Sequence, residues 1–241
     1  MGKKLEFERG VQGDDFEGRW LAKFDHCLNE AAGEEARRWV MENCEGLYSS
    51  STKREVIGWT REAVRRLEEV AGEEEAGEVL TGCACQYPRE RLVPLREKYA
   101  ETHDLGLVHG MLQGQFLLTS REFLRLTDEQ VRDIVGRGWG VAGIRKGNTI
   151  VATKMPFEFH EYWKASTPEE RRFRYCHCPR VREAIRLGEE MPVTYCYCGA
   201  GFYKGIWECI LQRPVRVEVA ESVLKGDDAC RIVIHLPKGV S

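Results

Sequence analysis

The sequence predicts an α+β protein, with a helix-rich N-terminal half packed on a C-terminal part that contains antiparallel β-hairpins and helices. Apolar residues recur every three or four positions through most of residues 14–137, which is typical of amphipathic helices. After Gly140 the period changes to two in several short segments, which is typical of strands. We therefore divide the chain into a helical region, 1–137, and an α+β region, 138–241, and expect them to pack as one compact unit.

Helices are predicted along most of the first region. Residues 1–13 are rich in glycine and charge and are predicted to form a frayed arm, and 46–51 is predicted to be a loop. Thr52 and Glu55 have the spacing of a capping box. Four helices follow from the apolar spacing and are separated by glycines and the loop: 14–30, a short helix ending near Asn43, 53–71, and one running toward Leu80.

Three more helices are predicted before the change of period. Pro88 is well placed at the start of a helix that runs to about Ala100, because proline suits the first turn. Residues 105–126 are apolar and helix-like. Thr127 with Gln130 repeats the capping pattern and opens a helix that ends near Gly136.

The second region alternates hairpins with helices. Residues 141–145 and 148–153, joined at Lys146-Gly147, read as a β-hairpin. A second hairpin runs from 215–219 through a turn at 226–228 and returns through Ile232 and Ile234. The helix starts between the hairpins carry a cap, a proline or small residues: Thr167-Pro168, Pro179, and Gly199, whose helix reaches Gln212.

Six of the ten cysteines lie in three Cys-x-Cys pairs, and 17 residues separate the second pair from the third. Two such pairs can supply the four thiolates that a tetrahedral zinc site needs. The preferred ligands are Cys176, Cys178, Cys196 and Cys198, and His177 could replace one of them. The sequence leaves open whether Cys83 and Cys85 join them. An iron–sulfur cluster and redox-active thiols without metal are the alternatives.

Helix starts are predicted after each pair, and the positive end of a helix stabilises a thiolate. This placement favours metal ligation and thiol reactivity equally. The other cysteines have a simpler interpretation, because free cysteine is a small buried hydrophobe. That interpretation is accepted for Cys27, Cys44 and Cys209, which lie at apolar helical positions, and is left open for Cys230.

Candidates for a small-molecule pocket lie among aromatic and polar residues on two predicted helices: His109, Tyr203, Trp207 and Glu208. Trp and Tyr line pockets while offering a polar group, although packing in a core is an equally good interpretation. The chain has no GxSxG, HExxH or Rossmann glycine pattern, so the catalytic residues are left unknown.

The segment YCYCGAGFYKGIWECILQRPVRVEVAESVLKGDDACRIVIHLP resembles the C-terminal half of 4-vinyl-reductase-type domains and the related 2-amino-thiazoline-4-carboxylate hydrolase family. The matching residues are Gly201, Gly205, Trp207, Glu221, Gly226, Asp227, Cys230, Arg231 and Ile232. The resemblance implies an α+β domain that cups a small hydrophobic or aromatic ligand, as a sensor or an enzyme. Glu221 stands where those families carry a cysteine. The three Cys-x-Cys pairs are outside that pattern and indicate an uncharacterised prokaryotic family.

Composition narrows the function classes. A net charge of -3 argues against a nucleic-acid partner. The chain contains no run of 18 apolar residues, so we expect no membrane-spanning helix. The N-terminus lacks an apolar signal region, so we expect a cytoplasmic protein with reduced thiols.

We expect a cysteine-ligated metal-binding protein, zinc favoured, that binds or senses a small molecule. The alternatives are a hydrolase, a thiol- or iron–sulfur-dependent reductase, and a protein in which zinc is purely structural. The sequence does not determine the oligomeric state or whether the protein is an enzyme.

Overall fold

The computed structural model describes residues 16–47 and 51–240. The predicted arm, 1–13, and residues 48–50 of the predicted loop lie outside the described residues. The predicted α+β class is confirmed, because helices make up most of the described chain and four strands form an antiparallel sheet. No helix in the described ranges is both long enough and apolar enough to cross a membrane.

The contacts between residues group the described chain into two compact units. The first unit contains the described residues up to Cys85, then Pro156–Gly201 and Ser222–Asp228. The second unit contains Gln86–Met155, Phe202–Glu221 and the residues from Ala229. Each of the predicted regions, 1–137 and 138–241, contributes segments to both units.

The helices are α1 (Phe16–Val40), α2 (Lys53–Gly82), α3 (Arg89–Thr102), α4 (Leu105–Phe123), α5 (Asp128–Gly136), α6 (Phe159–Tyr162), α7 (Pro168–Tyr175), α8 (Pro179–Leu187) and α9 (Tyr197–Leu211). The strands are β1 (Ile144–Lys146), β2 (Thr149–Thr153), β3 (Arg216–Glu221) and β4 (Arg231–His235). Two short 3-10 turns occupy Val193–Cys196 and Val223–Lys225.

In the first unit, α1 and α2 pack along each other, and each is interrupted by a glycine. Gly33 and Gly72 both have a φ of +79°, a conformation that ends a helical path and that glycine adopts without a steric cost. The predicted breaks at these two positions are therefore confirmed. The predicted capping box is also present: the Glu55 N–H donates to Thr52 Oγ1 at 3.3 Å, and the Thr52 N–H donates to Glu55 Oε2 at 2.6 Å.

Helix α9 begins earlier than the sequence predicts. The expected start was Gly199, but the 3-10 turn at Val193–Cys196 continues directly into the α-helix at Tyr197. Cys198 consequently lies in the first turn of the helix instead of in the preceding loop. By contrast, Pro179 occupies the first position of α8, as predicted, with Cys178 as the residue before it.

The second unit contains the sheet, whose strand order is β1-β2-β4-β3. Both predicted hairpin pairings are present, with β1 antiparallel to β2 and β3 antiparallel to β4. The sequence did not predict that β2 pairs with β4, which joins the two hairpins into one sheet. The side chains buried by the sheet alternate along the strands: Ile150, Ala152, Val217, Val219, Ile232 and Ile234.

Candidate functional site

Three side chains on one face of α1 lie near the Cys-x-Cys segments of the first unit. Trp20 lies near the Cys198 sulfur, and Lys23 Nζ donates to the Ala84 carbonyl at 2.8 Å. Cys27 is hydrogen-bonded to the thiol of Cys83. Residues three, four and seven apart share a helix face, so the spacing of 20, 23 and 27 places these groups along one stripe.

The three Cys-x-Cys pairs all belong to the first unit. Cys83 follows the last residue of α2, and its buried sulfur lies 3.6 Å from the Val79 carbonyl oxygen. Cys176 ends α7 and is buried, and its N–H donates to Arg172 O at 3.0 Å. Cys196 ends a 3-10 turn. All ten cysteines are described, and all are free thiols.

One cysteine from each pair participates in a common electrostatic group. Burial, followed by the charges of Cys178 and Cys85, raises the pKa of the Cys198 thiol to about 12. The Cys198 sulfur is buried although the residue as a whole is partly exposed. Cys83 also interacts with Cys198. Cys198 thus interacts with one cysteine of each other Cys-x-Cys motif, Cys85 and Cys178, whereas the sequence favoured two complete pairs as ligands.

Polar groups surround two of these sulfurs. Tyr195 Oη lies 3.6 Å from Cys178 Sγ and accepts from Arg180 Nη1 at 3.0 Å. Arg180 is buried, forms an ion pair with Glu17, and stacks over the Trp20 ring at 3.9 Å. Burial raises the pKa of Tyr195 well above its ordinary value, so its hydroxyl stays protonated at neutral pH. That hydroxyl is therefore a donor for a thiolate at Cys178.

A second thiol contact lies at the other end of the stripe on α1. The hydrogen bond with Cys83 lowers the pKa of Cys27 to about 6, and the same contact raises the pKa of Cys83 well above its ordinary value. The contact therefore favours the thiolate on the more exposed Cys27 and the protonated thiol on the buried Cys83. From the sequence, Cys27 was interpreted as a small buried hydrophobe. Its contact with the Cys83 thiol adds a possible chemical role to that interpretation.

A preformed metal site is not found in the described residues, since no group of three or more His, Cys, Asp or Glu side chains there is arranged to hold an ion. The six paired cysteines remain predicted ligands. His177 packs edge-on against Phe157, with ring centroids 5.5 Å apart.

The predicted pocket residues lie in the second unit. Tyr203 and Trp207 are buried, and Glu208 Oε1 accepts from the Val215 N–H at 3.0 Å. The His109 ring is stacked on Trp207 with centroids 6.2 Å apart, and its Nε2 is 3.1 Å from Ala142 O. Three of the four residues lie on α9, and the fourth, His109 on α4, is stacked on one of them; their role in ligand binding stays a prediction.

The stability of the second unit should depend on pH through His109. Burial lowers the pKa of His109 below its ordinary value of 6.5, so the unfolded chain binds a proton more readily than the folded one. The resulting stability is fully present above pH 6.5 and falls as the pH drops from there toward the folded-state pKa. Urea midpoints between about pH 7.5 and 5.5 should fall less in His109→Gln than in the unchanged protein. Equal slopes would contradict this.

Comparisons with known proteins show that part of the chain is similar to uncharacterised proteins. Residues 169–240 match a family of unknown function (DUF6144), and this segment contains Cys176, Cys178, Cys196 and Cys198. An uncharacterised protein of Methanocaldococcus jannaschii is 40% identical over 52 residues. That stretch is 22% of this chain and 28% of the archaeal protein. No solved structure matches the chain. The C-terminal part is therefore similar to proteins whose function has not been assigned.

Proposed function

We propose that the protein is a cytoplasmic metal-binding protein in which thiolates of the Cys-x-Cys pairs hold one ion, with zinc favoured. The observation behind the proposal is that Cys85 and Cys178, which belong to the two other pairs, both act electrostatically on the buried sulfur of Cys198. A small-molecule-binding or sensory role for the second unit completes the proposal.

The charges of these thiols favour a cation. As thiolates, Cys178 and Cys85 repel a third thiolate at Cys198, and burial adds a desolvation cost. A divalent cation reverses both effects, since a metal-bound thiol is deprotonated and its charge is neutralised. Zinc is favoured because four sulfur ligands in a tetrahedron are typical of its structural sites.

The surrounding donors support thiolates at the same positions. Besides the sulfur of Cys198, the buried indole N–H of Trp20 has no hydrogen-bond acceptor in the part of the chain that the structure describes. The Tyr195 hydroxyl accepts from the Cys178 thiol at 3.6 Å, and it would become the donor once Cys178 loses its proton. Groups that donate to the ligand atoms orient them and stabilise the charged form, as in other metal sites.

Of the three remaining paired cysteines, Cys83 is in contact with Cys27, so the fourth ligand would come from Cys176 or Cys196, each two residues from Cys178 or Cys198. Because the sulfurs do not yet form a closed ligand set, they would have to move together when the ion binds. A complete four-thiolate set leaves no open position for a substrate, so a structural ion is favoured over a catalytic one.

Metal analysis of the full chain after anaerobic purification tests the proposal. We expect about one zinc per chain and no visible colour. A brown protein containing iron and sulfide would replace the zinc assignment with an iron–sulfur cluster. Protein that contains no metal and takes up none from added zinc or iron would refute the metal centre altogether.

The small-molecule role rests on the resemblance of the C-terminal segment to 4-vinyl-reductase-type domains. The stacked rings of His109 and Trp207 are the groups of the second unit that suit a flat aromatic ligand. Phenol and benzoate serve as neutral and anionic aromatic probes in a thermal-shift assay. We expect a shift that is reduced in His109→Ala, and no shift with either probe would count against an aromatic ligand.

Thiol-dependent reduction is the second candidate function. The observation that favours it is the contact between Cys27 and Cys83, because a thiolate beside a protonated thiol is the arrangement of dithiol oxidoreductases. Hydrolysis by metal-bound water remains the other enzymatic alternative, and it requires one open position on the ion.

A further inference from the structure

Two segments of the first unit converge on a thiol pair that lies partly outside the Cys-x-Cys motifs. Cys27 lies on α1, whereas Cys83 follows the end of α2, yet their thiols are hydrogen-bonded to each other. The Lys23 ammonium, one turn before Cys27, donates to the carbonyl of Ala84. Helix α1 is therefore attached to the Cys83–Cys85 segment at two successive positions of one face.

Space for the Cys27 sulfur is provided by a glycine. A Cβ atom at Gly82 would overlap Cys27 Sγ and lie 3.5 Å from Cys27 Cβ. Gly82 is the last residue of α2 and has no positive φ, so its backbone conformation does not require glycine. The missing side chain instead permits the close approach of the sulfur from α1.

The two sulfurs differ in their access to solvent. Cys27 is half-buried, so a small reagent can reach it, whereas Cys83 is buried. Dithiol chemistry needs one accessible and one buried thiol. The accessible thiol attacks an external disulfide to form a mixed disulfide, and the buried thiol then attacks that mixed disulfide and releases the reagent's second thiol.

We propose that Cys27 and Cys83 form a redox-active dithiol that a low-molecular-weight disulfide oxidises to an intramolecular disulfide. The Cys27 sulfur attacks one sulfur of the reagent, forming a mixed disulfide and releasing one thiol. The Cys83 sulfur then attacks the Cys27 sulfur and releases the second thiol. The protein loses two electrons and two protons. The reagent accepts the electrons and the protons as its disulfide is reduced to two thiols. The pair does not require a bound metal.

Peptide mapping of the full chain can identify this bond. The protein as purified is incubated with oxidised glutathione, quenched in acid and alkylated before tryptic digestion. Trypsin releases Cys27 in peptide 24–37 and Cys83 in peptide 67–89, which also contains Cys85. We expect these two peptides to become linked, and reduction with dithiothreitol to separate them again.

Variants separate Cys83 from its neighbour in the same peptide. The link should be lost in Cys27→Ser and in Cys83→Ser, and kept in Cys85→Ser. Cys44→Ser is the matched control, since Cys44 is a second partly buried cysteine of the same unit. If Cys83→Ser does not fold, the loss in Cys27→Ser together with the retained link in Cys85→Ser carries the result.

Two outcomes would overturn the proposal. One is the absence of linked peptides at equilibrium with oxidised glutathione, with Cys27 recovered as a free or glutathionylated thiol. The other is a link that survives Cys83→Ser but disappears in Cys85→Ser, because the bond would then join Cys27 to Cys85 instead of Cys83. Neither result bears on metal content, so failure here is distinguishable from failure of the metal centre.

Discussion

If the proposed metal centre exists, Cys198→Ser is expected to lose the ion and to unfold more easily by roughly 3–5 kcal/mol, because loss of a structural ion belongs to the few mechanisms with effects this large. Its sulfur interacts with cysteines of both other pairs, and serine is a poor ligand for zinc. Metal content by elemental analysis and urea unfolding at neutral pH measure the two effects.

Cys209→Ser provides the control for this result. Cys209 lies on the same helix, α9, but in the second unit. It should retain the metal and lose little stability. Cys176→Ser and Cys196→Ser then identify the fourth ligand as the one whose replacement also removes the ion. A full complement of metal in Cys198→Ser would contradict the proposed centre.

Gly201→Ala is expected to destabilise the protein by about 3 kcal/mol, the upper part of the range for overpacking. An added Cβ would lie only 2.7 Å from the carbonyl carbon and the Cα of Thr81, and it would overlap the Thr81 carbonyl oxygen. These are backbone atoms of α2, which cannot rotate away as a flexible side chain does. The midpoint and slope of urea unfolding give the change directly.

Gly205→Ala is the matched control, one helical turn further along α9. Nothing lies within 4 Å of a Cβ at Gly205, and alanine has the higher helix propensity. We therefore expect this variant to be as stable as the unchanged protein or up to about 1 kcal/mol more stable. Equal stabilities for the two alanine variants would show that the close approach at Gly201 is not rigid.

Local features of this fold could be predicted from the sequence because each depends on residues close together in the chain. The capping residues Thr52 and Thr127, and the proline at position 179, mark helix starts through contacts within one turn. The hairpin turn at Gly147 is equally local, since its φ of +58° suits glycine.

The grouping of side chains at the candidate site depends on contacts between distant segments, which the sequence does not specify. The sequence predicts Cys27 to be an apolar position of a helix, and no residue near it in the sequence indicates a contact with Cys83. Arg180 reads as one of many surface arginines, yet it is buried against Trp20 and Tyr195. The spacing of Trp20 and Cys27 on one face of α1 was the available signal, because seven residues are two helical turns.

The strand order of the second unit also affects how the protein is made. Strand β4 lies between β2 and β3, although it follows both in the chain. While the chain folds, the β1–β2 hairpin and β3 each keep one edge unpaired until β4 is inserted between them. Unpaired edges bind other strands, so we expect a folding intermediate that lacks β4 to be prone to aggregation.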